Sequence, residues 1–269
     1  MGLTPADFFT HVHFAPLDLV PVVLGAAWYG WSVGRLRRRG GAWPAGRPAC
    51  FAAAAVAFAA AACSGLDAFA RSNFSAFGAQ FVLAGLLAPV LLAFSAPVTL
   101  ALQSSTRPGR GRWLDARPAR WVAGPLTTWL VFSGSVLTLF FTGALTASLH
   151  GGDPAEQAVL LWMLVAGTLF FWPVVDVDPA PRRIGYWPRV LYLLLTFPVY
   201  AIVGMGLESQ GSRLVPAMSL PSLHLGAAAT WVMAEGFSLI GAVWVFVQWL
   251  RADERRARSH DLAHEEAAA

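Results

Sequence analysis

The side chains of this sequence best suited to specific chemistry are a set of histidines and one methionine. Imidazole is the commonest metal ligand in proteins, and a thioether suits Cu(I). Four of the six histidines stand near the ends of apolar segments, and Met218 precedes one of them by six residues. We therefore predict a candidate copper site formed from His224, His11, His13, His150 and Met218.

The alternative is that these histidines are ordinary loop residues. No two of them have a paired spacing such as HExxH, which places two rings on one face of a helix. His224 is the strongest single candidate because it stands at the start of an apolar segment. His11 and His13 could present two rings from one extended segment.

Glu235 is the one acidic residue deep inside an apolar segment. It follows Leu223 by twelve residues, which is roughly 18 Å along a helix and close to the centre of a bilayer. An ionised carboxylate is unfavourable there, so we expect it to be protonated or paired within the bundle. Its role is either functional or limited to packing through a hydrogen bond. The expected hydrogen-bonding partners lie on one hydroxyl-rich segment and are Thr127, Thr128, Ser133 and Thr138.

Two carboxylates and two guanidinium groups follow the fifth apolar segment. Asp176 and Asp178 precede Arg182 and Arg183, so we predict a cytoplasmic charge cluster that fixes this loop. The sequence contains no nucleophilic triad, phosphate-binding loop or dinucleotide fingerprint, and no lysine for Schiff-base chemistry. We therefore expect a protein that is not an enzyme.

The elements that must position these residues are apolar helices. The sequence is 57% hydrophobic and 13% charged, against about 25% charged residues in a typical soluble domain. This composition indicates an all-α polytopic membrane protein embedded in a lipid bilayer. Residues 1–250 form one transmembrane domain, and residues 251–269 form a charged cytoplasmic tail. Seven transmembrane helices are predicted at residues 16–34, 49–66, 76–103, 121–148, 156–175, 188–207 and 223–250.

The distribution of arginine predicts the orientation of these spans. All 19 basic residues are arginine, and 17 of them lie in the first, third and fifth gaps or in the tail. The positive-inside rule then places the N-terminus outside and the C-terminus in the cytoplasm. It also places the four candidate histidines on the outer face. The excess of positive charge therefore reflects topology, and we expect no nucleic acid partner.

Three long blocks of the sequence resemble a known family. They read FSAFGAQFVLAGLLAPVLLAFSAPVTLAL, VAGTLFFWPVVDVDPAPRR and WVMAEGFSLIGAVWVFVQWLRADERRARSHD. In their order and spacing they are similar to the CtaG-type cytochrome c oxidase assembly factors. The resemblance implies a multi-pass protein of the bacterial inner membrane that helps to mature a haem-copper oxidase. It implies that this help is copper supply or the chaperoning of an oxidase subunit.

The chain departs from the family pattern where the family has histidine. The pattern at the start of span three reads roughly FSAHMxQH, with two histidines four residues apart on one helical face, a spacing at which both could bind one ion. Here Phe77 and Phe81 occupy those positions, while Gln80 is retained. In span five, Leu160 and Trp162 stand where the family has histidine.

Three functions are consistent with these departures. The first is an oxidase assembly factor that uses another set of ligands, with His224 among them. The second is a scaffold that binds no metal, or a permanent accessory subunit of a respiratory complex. The third is an ion or small-molecule carrier that uses Glu235, which matches an acid found in one subgroup of the family.

Overall fold

The computed structural model describes residues 15–71, 73–105, 116–142, 144–145, 154–181, 183–214 and 219–268, and the regular structure in these ranges is helical. Six helical segments in them are long and apolar enough to cross a bilayer, and Pro125–Phe141 is a shorter apolar helix. The prediction of an all-α polytopic membrane protein is therefore confirmed. The count of seven spans stays a prediction, because the 17 residues of Pro125–Phe141 lie at the lower limit of the roughly 17–25 that cross a bilayer. The orientation of the two chain ends also stays a prediction.

Twelve α-helices follow one another in the described ranges. In the described ranges they are α1 (Pro16–Arg38), α2 (Gly46–Cys63), α3 (Gly65–Ala70), α4 (Phe74–Val82), α5 (Ala88–Phe94), α6 (Pro97–Ser104), α7 (Arg117–Val122), α8 (Pro125–Phe141), α9 (Pro154–Val175), α10 (Tyr186–Leu194), α11 (Phe197–Leu214) and α12 (Leu220–Ala268). Helix α12 continues through the charged tail, so the last span and the tail are one element.

The third span is broken twice, each time at a proline. A π-helical turn, Leu83–Leu87, joins α4 to α5. Pro89 has no N–H to bond the carbonyl group of Gly85, and the helix widens at this point. The second break is at Ala96, whose backbone is left-handed with φ of 53°. Pro97 then starts α6 in a new direction.

Small residues allow the helices to cross closely. A Cβ atom on Gly226 of α12 would lie 2.6 Å from the backbone nitrogen of Ser75 in α4. A Cβ atom on Gly167 of α9 would lie 2.4 Å from the carbonyl oxygen of Gly85. Helices that associate within lipid are held by such close packing, because lipid is as apolar as the side chains themselves.

Two ends of the bundle are defined by contacts between distant segments. At one end, Arg39 donates a hydrogen bond to the carbonyl oxygen of Ser104 over 3.2 Å, and the rings of Trp187 and Trp249 are 5.3 Å apart. We call this the arginine-rich end, because α1, α10 and α12 carry arginine near these contacts, among them Arg38, Arg189 and Arg251. At the opposite end the starts of α1, α4, α9 and α12 come together.

Candidate functional site

An aromatic cluster fills the bundle near its opposite end. Helix α4 begins at Phe74 because the side chain of Asn73 accepts a hydrogen bond from the Ser75 amide over 2.9 Å. The next turns bring Phe77 and Phe81 against the ring of Phe140 on α8, with edge-to-face centroid distances of 5.9 and 5.7 Å. All three rings are buried. The positions of the two family histidines therefore belong to an apolar core.

A small cavity beside this cluster is lined by several positions at which the chain departs from the family pattern. Phe77, Gln80, Phe81 and Leu160 line it together with Glu156 from the first turn of α9. Its free space is about 10 Å³, roughly that of one water molecule. Three of the four positions where family histidines are replaced thus face one point in the bundle.

Two of the residues that line the cavity, Gln80 and Glu156, are polar, and further polar side chains belong to the same helix starts. The Gln80 amide nitrogen donates a hydrogen bond to the Ala61 carbonyl oxygen over 3.0 Å, which ties α4 to α2. The side-chain oxygen of the neighbouring Gln157 accepts a hydrogen bond from the backbone nitrogen of Leu17 over 2.9 Å and so holds the start of α1. Asp18 and Glu156 are 1% and 3% exposed, each in the first turn of its helix. An acid in the first turn is favoured by the helix dipole.

The residues that line this cavity do not fit copper. Besides phenyl and aliphatic groups they offer the thioether of Met163, the amide of Gln80 and the carboxyl group of Glu156. The Gln80 amide nitrogen is already used by Ala61, and Cu(I) prefers several soft sulfur or imidazole ligands. We therefore derive no chemistry through a metal at this position.

The predicted histidine site is mostly outside the described part of the chain. His11, His13, His150 and Met218 lie outside the described residues. His224 is exposed in the first turns of α12. Within the described ranges no group of three or more His, Cys, Asp or Glu side chains could hold a metal ion. Copper binding by the histidine set therefore stays a prediction.

Trp162 does not share the cavity with Leu160. Its side chain is 51% exposed, and its indole nitrogen donates a hydrogen bond to the Ser135 hydroxyl oxygen over 2.8 Å. It lines an open groove of about 550 Å³ between α8 and α9. The two span-five positions with a family histidine therefore face different environments.

Glu235 is half-buried on α12. It interacts electrostatically with Tyr200 on α11, whereas the expected partners were on α8. Of those, Thr128 is within hydrogen-bonding distance of the Tyr192 hydroxyl group, with 3.0 Å between the oxygens. The depth of Glu235 in the membrane stays a prediction, as does its hydrogen bond to a hydroxyl group of α8.

Asp178, which is remote in sequence, stabilises the second break of span three, the one at Ala96. Its carboxylate oxygens accept hydrogen bonds from the backbone nitrogens of Val98 and Thr99 over 3.0 and 2.7 Å. The Thr99 hydroxyl group donates a further bond over 2.6 Å. Asp178 is 3% exposed and caps the start of α6 in place of Ala96, which has no capping side chain. It was predicted in a charge cluster, and its contacts are those of a helix cap.

Asp176 is the member of the predicted cluster that forms ion pairs. It contacts the buried guanidinium group of Arg189 and lies 3.6 Å from the exposed Arg183. The Arg189 side chain also donates to the Ile184 carbonyl oxygen over 2.9 Å. Arg182 is outside the described residues. The loop after α9 is therefore fixed by one ion-pair group and one helix cap.

Two parts of this arrangement were missed from the sequence. Glu156 and Gln157 stand at the edge of an apolar span, where polar residues are ordinary, so nothing marked them as buried. Tyr29 was missed because a single tyrosine carries no pattern, yet its hydroxyl group donates to the Ser95 carbonyl oxygen over 2.7 Å and accepts from Trp43. The available signal for Glu156 was the helix start after Pro154, which predicts an acid in the first turn.

The fold and this core define a class of protein: a polytopic α-helical membrane protein whose centre is packed with aromatic side chains. Comparison with known families identifies it further. Residues 27–252 match the family described as cytochrome c oxidase caa3 assembly factor, Caa3_CtaG. The match covers most of the chain, and the protein therefore belongs to this family, as its sequence blocks predicted.

Similar proteins occur in mycobacteria. An uncharacterised protein of Mycobacterium leprae is 29% identical over 278 residues, covering 94% of this chain and 42% of its own length. Uncharacterised proteins of Mycobacterium bovis and Mycobacterium tuberculosis are 29% identical over 262 residues, covering 89% of this chain and 39% of theirs. The chain thus spans about two fifths of the length of these relatives. No solved structure gives a significant match.

Proposed function

We propose that this protein assists the assembly of a caa3-type cytochrome c oxidase in the bacterial inner membrane by binding an oxidase subunit within the lipid. Membership of the assembly factor family supports the process. The matched region reaches from the middle of α1 to the beginning of the α12 tail, so it includes part of the first candidate span, most of the last and all of those between them. The proposal therefore concerns the helical bundle itself.

The observation that carries the proposed mechanism is that apolar side chains occupy the space where the family pattern has histidines. Where the family pattern would bring three histidines to one point, Phe77, Phe81 and Leu160 line a cavity together with Met163 and leave room for about one water molecule. A bundle packed in this way provides a rigid surface for another membrane protein. It does not provide a ligand set for passing a metal ion through the centre.

The first test is deletion of the gene in its host. We expect caa3 oxidase activity and the amount of its assembled subunits in membranes to fall severalfold. Re-expression of the full chain should restore both, and the activity of an unrelated membrane dehydrogenase serves as the control. A deletion strain with normal oxidase activity and subunit content would contradict the proposal.

Stoichiometry separates a transient assembly factor from a permanent subunit. A tagged full-length chain should co-purify with oxidase intermediates and be depleted in the mature enzyme. A constant ratio of this chain to the mature complex would instead support the accessory-subunit alternative.

Copper supply is the competing mechanism, with the ion as cargo of the predicted outer histidine set. The purified wild-type protein should retain copper at a ratio near zero after incubation with Cu(I) and gel filtration. A Phe77→His, Phe81→His double variant is the positive control, because side chains four residues apart on one helical face can bind one ion. A wild-type ratio near one that falls on His224→Ala would support copper supply and contradict the mechanism proposed above.

A further inference from the structure

Glu235 is an acid that neither the packed core nor the family match explains. Between Leu220 and Leu250, α12 contains no other Asp, Glu, Lys or Arg. Glu235 lies fifteen residues beyond Leu220, roughly 22 Å along the helix and near the bilayer centre. An acid at this depth is expensive unless it is paired.

Where α12 packs against α11, the described residues near Glu235 carry hydroxyl groups. Tyr200 of α11 lies close to it and also close to Ser238. Ser238 in turn is 3.2 Å from the Thr196 hydroxyl oxygen, so hydroxyl groups line this helix interface. Within the described part of the chain, no ion pair joins the Glu235 carboxyl group to a basic residue. A hydrogen-bond donor from another membrane protein would therefore stabilise this acid at the bilayer centre.

The outer side of the same helix is open. Val232, Leu239 and Val243 are 68%, 52% and 54% exposed. With Gly236 they repeat at intervals of four, three and four residues, the spacing by which one helix packs along another. A Cβ atom on Gly236 would meet no other atom within 4 Å, so a second backbone can approach closely there.

We propose that the α12 face formed by Val232, Glu235, Gly236, Leu239 and Val243 docks a transmembrane helix of the oxidase subunit. The partner helix supplies a side chain with an N–H donor near the bilayer centre, and this group donates a hydrogen bond to the Glu235 carboxyl group. The inference rests on the proposed function and deepens it by naming the surface and the chemistry of the partner.

Site-specific photo-cross-linking in native membranes tests this docking face. A photoreactive phenylalanine analogue replaces Leu239 in the tagged full-length chain, and cross-linked oxidase subunits are identified by mass spectrometry. The matched control is the same replacement at Val165, which is 48% exposed on α9. We expect cross-linking to an oxidase subunit from position 239 and none from position 165.

The role of Glu235 is tested in the same membranes. Glu235→Leu should lower the yield of the cross-link about five- to thirtyfold, the effect of losing one hydrogen bond of about 1–2 kcal/mol between membrane helices. Glu235→Gln keeps an acceptor oxygen and should retain most of the yield. Thermal unfolding in detergent confirms that the variants remain folded.

The outcomes separate this inference from the proposed function. Cross-links from position 239 only to a second copy of this chain, or a yield unchanged by Glu235→Leu, would overturn the docking face even if gene deletion lowers the oxidase. Normal oxidase activity after gene deletion would instead contradict the proposed function itself. Flux of ions into liposomes that Glu235→Gln abolishes would assign Glu235 to a carrier and also overturn the inference.

Discussion

The arginine-rich end and the aromatic core near the opposite end are held together in different ways. At the arginine-rich end, buried polar groups make directional contacts, and Asp178 alone accepts three hydrogen bonds from the start of α6. In the aromatic core, Phe140 touches the rings of Phe74, Phe77 and Phe81 without any hydrogen bond between them. Hydrogen bonds fix the positions of the backbone at the arginine-rich end, whereas the aromatic core is stabilised by the packing of apolar side chains.

This difference predicts that the two regions tolerate substitution differently. Apolar packing accepts another side chain of similar volume, so histidine positions can become phenylalanine and the bundle still closes. A helix cap needs a carboxylate at one place, because the backbone amides it serves have no other acceptor in the interior. The sequence DVDPAPRR accordingly contains the helix cap, Asp178, and the ion-pairing residue, Asp176.

Truncating the aromatic core should have the largest effect. Phe140→Ala removes a ring that is 1% exposed and contacts three others, and we expect unfolding to become easier by about 3–5 kcal/mol. The measurement is denaturation of the full chain in detergent micelles. Phe141→Ala, at a position 39% exposed, is the matched control and should cost much less. Equal losses would show that the core is not specifically packed.

Removing the distant helix cap should come next. Asp178→Ala leaves the amides of Val98 and Thr99 without their acceptor, so we expect a loss of about 2–4 kcal/mol. Protection of the α6 amides against hydrogen exchange should fall with it. Asp253→Ala, at an exposed site on α12, is the control. Unchanged α6 exchange in Asp178→Ala would contradict the capping role.

Overfilling a helix crossing should have an intermediate effect. In Gly226→Ala the new methyl group would press on the backbone of Phe74 and Ser75, so we expect destabilisation of about 1–3 kcal/mol. Gly30→Ala on α1 meets no atom within 4 Å and should be neutral or stabilise by up to about 1 kcal/mol. The same denaturation assay compares the two, and similar results would contradict the close crossing of α4 and α12.

Breaking an exposed ion pair at the arginine-rich end should have the smallest effect. Arg258 and Glu254 are 3.9 Å apart, with side chains 79% and 67% exposed, and Arg258→Ala should change stability by less than about 0.5 kcal/mol. Arg189→Ala is the comparison, because Arg189 is buried against Asp176 and should cost several-fold more. A large effect of Arg258→Ala would show that surface charge, and not the buried network, holds this end.

Much of the fold could be predicted from the sequence. The span expected at 76–103 is the broken helix Phe74–Ser104, and the span expected at 156–175 is Pro154–Val175. The length of an apolar run predicts the length of the span that it forms. The candidate site was harder to predict. Phe77 and Leu160 each depart from the family pattern, but the sequence does not indicate that both line one cavity.

The sequence by itself determined the class of the protein, the position of its helices and the family to which it belongs. These properties depend on composition and local order along the chain. Only the tertiary structure decided that Asp178 caps a helix 79 residues away, that Gln157 holds the start of α1 across 140 residues, and that Glu235 interacts with Tyr200 of α11. Such contacts arise where helices cross, and the crossing points depend on the packing of the whole bundle.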